Sequence, residues 1–249
     1  MGTRRTRRFW LCWALALAVT AVWTISASPV QTSQPVGGAD HGSYVALTFD
    51  DGPWPGTTNT LLDGLAQRGV KATFFLVGEQ VADRAETVRR MADEGHQIGL
   101  HTWHHVSLKG MTPDQITSQL DQTRAAIREI VGPVDLMLRP PYGFVDDTLR
   151  QWAKAPIICW SLDTEDWKDP TPSRITADIL RQVKDGDIIL MHDIFDPSVT
   201  AALAAVDQLL AQGYRLVTVE ELFAQRGQDP QPGAVYCSLP PAQKEEVEP

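Results

Sequence analysis

Two adjacent carboxylates, Asp50 and Asp51, close the apolar run YVALTF and are followed at once by Gly52-Pro53. Asp-Gly-Pro is ordinary turn chemistry, and carboxylates are common there. At the end of a buried strand, however, two like charges raise each other's cost unless a cation lies close by. Cations or their ligands recur down the chain: His101 in GLHTWHH, Arg139 in RPPYG and His192 in LMHD. Asp163 and Asp166 stand in SLDTEDW, and Asp193 follows His192. His101 and His105 are four residues apart, so on a helical turn both rings face the same way, about 5–6 Å apart at Cβ. Two imidazoles and one carboxylate, from Asp50 or Asp51, leave a coordination position open. That is the donor set of a catalytic rather than a structural zinc site. On spacing alone His104 competes with His105 for this role.

These residues need elements to bring them together. Short apolar, β-branched runs occur at YVALTF, KATFFLV, QIGLH, VDLMLR, PIICWSL, DIILMH and YRLVTV, with helical patterns between them. Thr57 precedes Leu61, Leu62 and Leu65, and that stripe stops at Gly69. Val81, Ala85, Val88 and Ala92 recur at helical spacing before Gly95. Thr112-Pro113-Asp114-Gln115 is a capping box with proline at the first helical position. Ser173 and Ser198 open two more helices that end at Gly186 and Gly213. Seven strands alternating with helices predict a single α/β domain with a parallel sheet; periodicity does not say whether the sheet closes. In such folds the ligand site lies at the carboxyl ends of the strands. The polar clusters fall at five such ends, which independent turns do not explain.

The rest of the chain sets the context. It has 249 residues, 43% of them hydrophobic, enough for a sizeable core. Residues 1–28 join a basic MGTRRTRR to an apolar FWLCWALALAVTAVWTI and a small-residue SAS, as in a signal peptide or an uncleaved N-terminal membrane anchor. The body is therefore expected to be exported, either secreted or held at the extracytoplasmic face of the membrane near the cell wall. Residues 29–43 read as a linker, 44–224 as the domain, and 225–249 as a Pro-rich acidic tail, expected to be mostly disordered after Pro230. The leader carries four Arg and no acids, so without it the net charge moves from −9 to −13, 18 basic against 31 acidic residues. That charge excludes a nucleic-acid partner and leaves the N-terminal segment as the one route to a membrane. Cys159 in an apolar strand and Cys237 in the tail could pair in an oxidising compartment, but one reads as buried and the other as loose, which weighs against a disulfide.

TFDDGP, HTWHH, RPPYG, DTEDW and LMH, in that order, resemble the five motifs of the polysaccharide deacetylase family, the NodB-homology fold of carbohydrate esterase family 4. The resemblance runs from about Tyr44 to Phe223. It implies a distorted parallel (β/α) barrel of about seven strands, a divalent metal (usually zinc), and removal of acetyl groups from an N-acetylated glycan. On matching positions it makes Asp51, His101 and His105 metal ligands, Asp50 the general base and Arg139 its charge partner. His192 becomes the general acid, oriented by Asp166. The Tyr142 N–H faces the developing oxyanion, and Trp167 and Leu190 wall the acetyl methyl pocket. LMHDIFDPSVTAAL and DWKDP further resemble peptidoglycan N-acetylglucosamine deacetylases, although Phe195 stands where that subgroup often has a histidine. Chitooligosaccharide, poly-N-acetylglucosamine and O-acetylated xylan are the alternative substrates, and an inactive glycan-binding module is the alternative of another class. Outside the motifs, His96 reads as a helix-end or strand-start partner, Asp193 as a brace for a neighbour or a loop cap, and Trp54 and Trp103 as packing or sugar platforms.

Overall fold

The computed structural model describes residues 42–241. The leader, all but the last two residues of the linker, and residues 242–249 lie outside the described part.

Strand β1 (Ser43–Asp50) is buried from Tyr44 onward and organises the sheet. Strands β2 (Thr73–Leu76) and β6 (Ile188–His192) flank it in parallel, and β7 (Tyr214–Val217) pairs with its first half. Strand β3 (Gln97–Leu100) extends the sheet beyond β2, and β5 (Leu162–Asp163) extends it beyond β6. The register sets Asp50 opposite both Phe75 and His192, so these strand ends finish at one level. Alternation along β1 then divides its side chains between two faces. Val45, Leu47 and Phe49 join the layer under the helices, whereas Tyr44 and Ala46 join Phe75, Met137, Ile158 and Ile188 in an inner cluster. Thr48 and Asp50 share that inner parity.

Past β3 the strands shorten. VDLMLR supplies only Leu138, which bridges Leu100 on one side and Ile157 on the other. Pro140 and Pro141 follow and have no N–H to extend the ladder. PIICWSL splits into β4 (Ile157–Ile158) and β5, the chain turning at Ser161, whose hydroxyl donates to Asp187 at 2.7 Å. The result is a barrel-like parallel arrangement with pairing from β4 through Leu138, β3, β2, β1 and β6 to β5.

The disorder expected after Pro230 does not hold for residues 231–241. Strand β8 (Val235–Tyr236) pairs in parallel with β4, and Ser238 bridges Asp187. Leu239 is buried in the inner cluster, with its N–H on the Gly186 carbonyl at 2.8 Å. This segment covers an edge of β4 that would otherwise be open.

The capping box at Thr112 opens α4 (Pro113–Val131) as expected. The first helix, α1 (Pro55–Arg68), begins two residues before Thr57. The Val81–Ala92 stripe is divided into α2 (Gly78–Val81), a 3-10 turn at Ala82–Arg84 and α3 (Ala85–Asp93). Two short helices escaped the periodicity: α5 (Asp147–Trp152), capped by Asp146, and α8 (Val219–Gln225), opened by a Thr218/Glu221 capping box. Helices α6 (Pro172–Gln182) and α7 (Asp196–Ala211) start one and two residues before the expected serines, with Pro172 and Pro197 in their first turns. Among the described residues, no helix is long and apolar enough to cross a membrane.

Candidate active site

Asp50 ends β1 almost fully buried and is met by Arg139, whose Nη1 donates to its Oδ1 at 2.8 Å. Arg139 is itself 0% exposed, and every arm of its guanidinium is occupied. Nη1 also donates to Thr48 Oγ1 at 2.7 Å, Nε to the Ile158 carbonyl at 3.2 Å and Nη2 to the Cys159 carbonyl at 3.0 Å. The Phe75 ring lies 4.2 Å from the guanidinium carbon. This is the cation that the paired carboxylates require. A buried charge pair is tolerable when its remaining donors are satisfied in this way. The second oxygen of Asp50, Oδ2, lies 3.7 Å from His101 Nε2.

Asp51 turns away from its neighbour because its backbone is left-handed, with φ 71°. Its Oδ1 lies 3.4 Å from His101 Nε2 and 3.1 Å from His105 Nε2, and the three donor atoms fall within 4.8 Å of one another. Burial alone would raise the Asp51 carboxyl, but the imidazoles of His101, His105 and His192 around it hold it down to about 2. His101 Nδ1 sits 2.8 Å from the Arg139 carbonyl oxygen. A carbonyl only accepts, so Nδ1 carries the proton and the Nε2 lone pair faces Asp51. Asp51 Oδ1 is buried without a conventional hydrogen-bond partner. An orphaned carboxylate oxygen aimed at two imidazole nitrogens, one of them fixed in the ligand tautomer, fits a divalent cation.

The two rings come together by a route that the spacing did not indicate. Residues 101–105 form no helical turn; Thr102 and His105 are left-handed, at φ 63° and 52°, and the ring centroids lie 5.0 Å apart. For a β-branched threonine this backbone costs on the order of 1–3 kcal/mol. The first N–H groups of α2 hold the loop in place, Gly78 N donating to the Thr102 carbonyl at 2.9 Å and Glu79 N to Trp103 at 3.0 Å. Gly78 has to be glycine, because a Cβ there would lie 2.5 Å from the Trp103 ring. His104 turns outward to Glu79, 2.8 Å away, which removes it as a rival to His105.

His192, at the end of β6, is set by Asp166, which is 0% exposed. The imidazole Nδ1–H donates to Asp166 Oδ1 at 2.7 Å, and the His192 backbone N–H donates to Oδ2 at 2.8 Å. Burial opposes the imidazolium, yet the Asp166 hydrogen bond and charge, with Asp50 and Asp51 behind them, raise it to about 9. Its Nε2 lies 3.9 Å from Asp51 Oδ2.

A cleft of about 440 Å³ joins these groups, lined by Asp50, Asp51, His101, His105 and His192 on the polar side and by Tyr142, Trp160, Trp167, Leu190 and Phe195 on the other. All of the sequence-derived site residues except the buried supports Arg139 and Asp166 line it. Tyr142 is left-handed at φ 65°, with its ring 5.2 Å from that of His105. Trp160 was not singled out; it follows β4 inside an apolar run that read as strand. Asp163 also lines the cleft, and its Oδ1 accepts the Glu165 N–H at 2.9 Å. Asp193 is a brace: it is fully buried, accepts the Thr58 hydroxyl and packs against Gly52, where a Cβ would come within 2.6 Å of its carboxylate. Burial pushes its carboxyl up to about 7. His96 accepts the Ala72 N–H on Nδ1 at 3.1 Å, the strand-start partner that the sequence suggested. Trp54 lies under the Arg84 guanidinium and outside the cleft lining.

Fold and site together define a parallel, barrel-like α/β domain with a two-histidine, one-carboxylate cluster at the carboxyl ends of its strands. Residues 37–156 match the family model for polysaccharide deacetylases. The chain is 37% identical over 188 residues to a peptidoglycan-N-acetylglucosamine deacetylase of Bacillus cereus, covering 72% of this chain and 87% of that one. It is 42% identical over 178 residues to the peptidoglycan-N-acetylmuramic acid deacetylase PdaC of Bacillus subtilis, covering 72% of this chain but only 38% of that protein's length. A family 4 acetyl xylan esterase from Clostridium thermocellum in complex with a cobalt ion matches with a TM-score of 0.76 at 36% identity, covering 79% of this chain and 99% of that one. The chain belongs to the polysaccharide deacetylase family.

Proposed function

We propose that the chain is a metal-dependent hydrolase that removes N-acetyl groups from the N-acetylglucosamine units of cell-wall peptidoglycan, releasing acetate. One observation carries the reading: the Asp51, His101 and His105 donor set shares a single cleft with a buried, arginine-paired carboxylate and a protonated histidine. Asp51, His101 and His105 would hold the metal, with zinc the expected ion. A divalent cation there supplies Lewis acidity, polarising the acetyl carbonyl and acidifying water.

The protein groups account for the proton movements. Asp50, held by Arg139 through one oxygen, takes a proton from the attacking water through the oxygen that the arginine leaves free. His192 holds a proton on Nε2 at neutral pH and delivers it to the departing amine, which leaves poorly unless protonated. Asp166 fixes the tautomer and stabilises the imidazolium. The backbone N–H of Tyr142 faces the oxyanion as the carbonyl becomes tetrahedral; one such donor is worth about 3–4 kcal/mol in other hydrolases. Trp167 and Leu190 bound the space for the acetyl methyl group. The products are acetate and a free glucosamine amine.

The basic and apolar leader, together with the cell-wall substrates named for the relatives, supports export to the wall. A domain over 44–224, preceded by leader and linker, fits that arrangement. The likeness to an acetyl xylan esterase, and Phe195 at the cleft, favour O-acetylated xylan as the second reading.

Acetate release from purified peptidoglycan, chitin oligomers and acetylated xylan, with zinc and with a chelator, tests the reading. Chelator-sensitive release from peptidoglycan, with new free amines on glucosamine, is the expected result. Free amines on muramic acid alone, or release only from chitin or xylan, move the substrate. Silence on all three leaves the inactive module.

A further inference from the structure

We propose that Cys159 and Cys237 form a disulfide that fastens the last described strand, β8, to β4. The parallel ladder pairs Ile157 with Val235 and Ile158 with Tyr236, so one further step sets Cys159 beside Cys237. The ladder continues to that point, since the Cys159 N–H donates to the Tyr236 carbonyl at 2.8 Å. Neighbouring strands lie about 4.7–4.9 Å apart, inside the Cα separation of about 4.4–6.8 Å that a disulfide spans. Both residues are free thiols in this structure, and Cys237 is close enough to act on the Cys159 thiol. The objection from sequence was that Cys237 lay in a loose tail. Residues 226–241 are ordered, and the objection goes with that.

The chemistry requires an external oxidant, and a small or protein disulfide is the class that suits it. Cys237 is exposed and Cys159 half-buried. Burial and the neighbouring thiol raise Cys159 to about 11, so the first attack falls to Cys237. Its thiolate attacks the oxidant's disulfide, forms a mixed disulfide and expels one thiolate. Cys159 then gives up its proton and attacks the Cys237 sulfur, expelling the second half of the oxidant. Two S–H bonds are lost and one S–S bond forms, while the oxidant takes two electrons and two protons and becomes a dithiol or two thiols.

The bond has a structural task. The β4–β8 ladder is only two residues long on each strand, too short to be stable alone. Its β4 side presents the Ile158 and Cys159 carbonyls that receive Arg139. Fastening β8 therefore steadies the cradle of the arginine that pairs with Asp50. This inference does not depend on the substrate assigned above.

The test uses the full chain, purified reduced and incubated while folded with oxidised glutathione. Free thiols are then alkylated in denaturant and the peptides mapped by mass spectrometry. The expected result is a cross-linked peptide pair containing Cys159 and Cys237, with Cys12 found alkylated or glutathionylated. Against Cys237→Ser treated in the same way, the oxidised protein should melt roughly 5–15 °C higher. Alkylation of both Cys159 and Cys237, or glutathione retained on Cys237 beside a free Cys159, overturns the disulfide. Equal melting temperatures for the oxidised protein and Cys237→Ser overturn its fastening role.

Discussion

On the β1 side of the cleft Asp50 is paired with Arg139; on the β6 side His192 is paired with Asp166. In the first pair the reactive group is the carboxylate and the support is the cation. In the second these parts are exchanged. Arg139 is sealed from solvent, and a guanidinium gives Asp50 a fixed cationic partner. His192 is open to the cleft and can lose and regain its proton, with its carboxylate partner buried behind it. A base that must stay ionised is given a permanent cation, and an acid that must cycle is given a titratable one. Asp51 belongs to neither pair and is left for the metal.

Each pair can be broken in its own way. Arg139→Met should have the largest effect, because it strands a buried carboxylate. A loss of about 3–5 kcal/mol in urea unfolding is expected, along with activity. Adding Asp50→Asn should restore part of the stability and none of the activity. His192→Ala should leave stability closer to wild type and lower kcat by about 100- to 10,000-fold in acetate release. Asp166→Asn removes the main support of the imidazolium, so the basic limb of the pH–rate profile should fall from about 9 toward the ordinary histidine range. The sign also holds for stability. With His192 raised in the folded state, the pair's contribution is complete below about 6.5 and is lost as pH climbs through about 9, and Asp166→Asn should flatten that slope. Thr48→Val, which removes one acceptor from Arg139 and one donor from the Ile189 carbonyl, should be mildest, at about 1–2 kcal/mol in the same unfolding assay.

The gathering of these groups was legible in the sequence because parallel strands deliver their last residues to one mouth, Asp50 and His192 ending strands and His101 following one. The pairing of Asp50 with Arg139 and of His192 with Asp166 was implied only by the family resemblance. What brings His101 and His105 together was not legible. Left-handed backbone at Thr102 and His105 leaves no periodic trace, and the i, i+4 spacing imitated a helix. VDLMLR looked like a full strand, yet Pro140 and Pro141 cut its pairing to Leu138. Strand β8 hid in Pro-rich, polar sequence, since two paired residues are too few to show alternation. With it went the proximity of Cys159 and Cys237. Trp160 passed unnoticed because aromatic residues are equally at home in strands.

The division between the adjacent aspartates is tested most directly by Asp50→Asn and Asp51→Asn, reconstituted with zinc in parallel and read for bound metal and acetate release. The account predicts that Asp50→Asn binds zinc at the wild-type level while turnover falls about 100- to 10,000-fold, and that Asp51→Asn loses both. Near-normal turnover in Asp50→Asn, or full zinc content and turnover in Asp51→Asn, would contradict it.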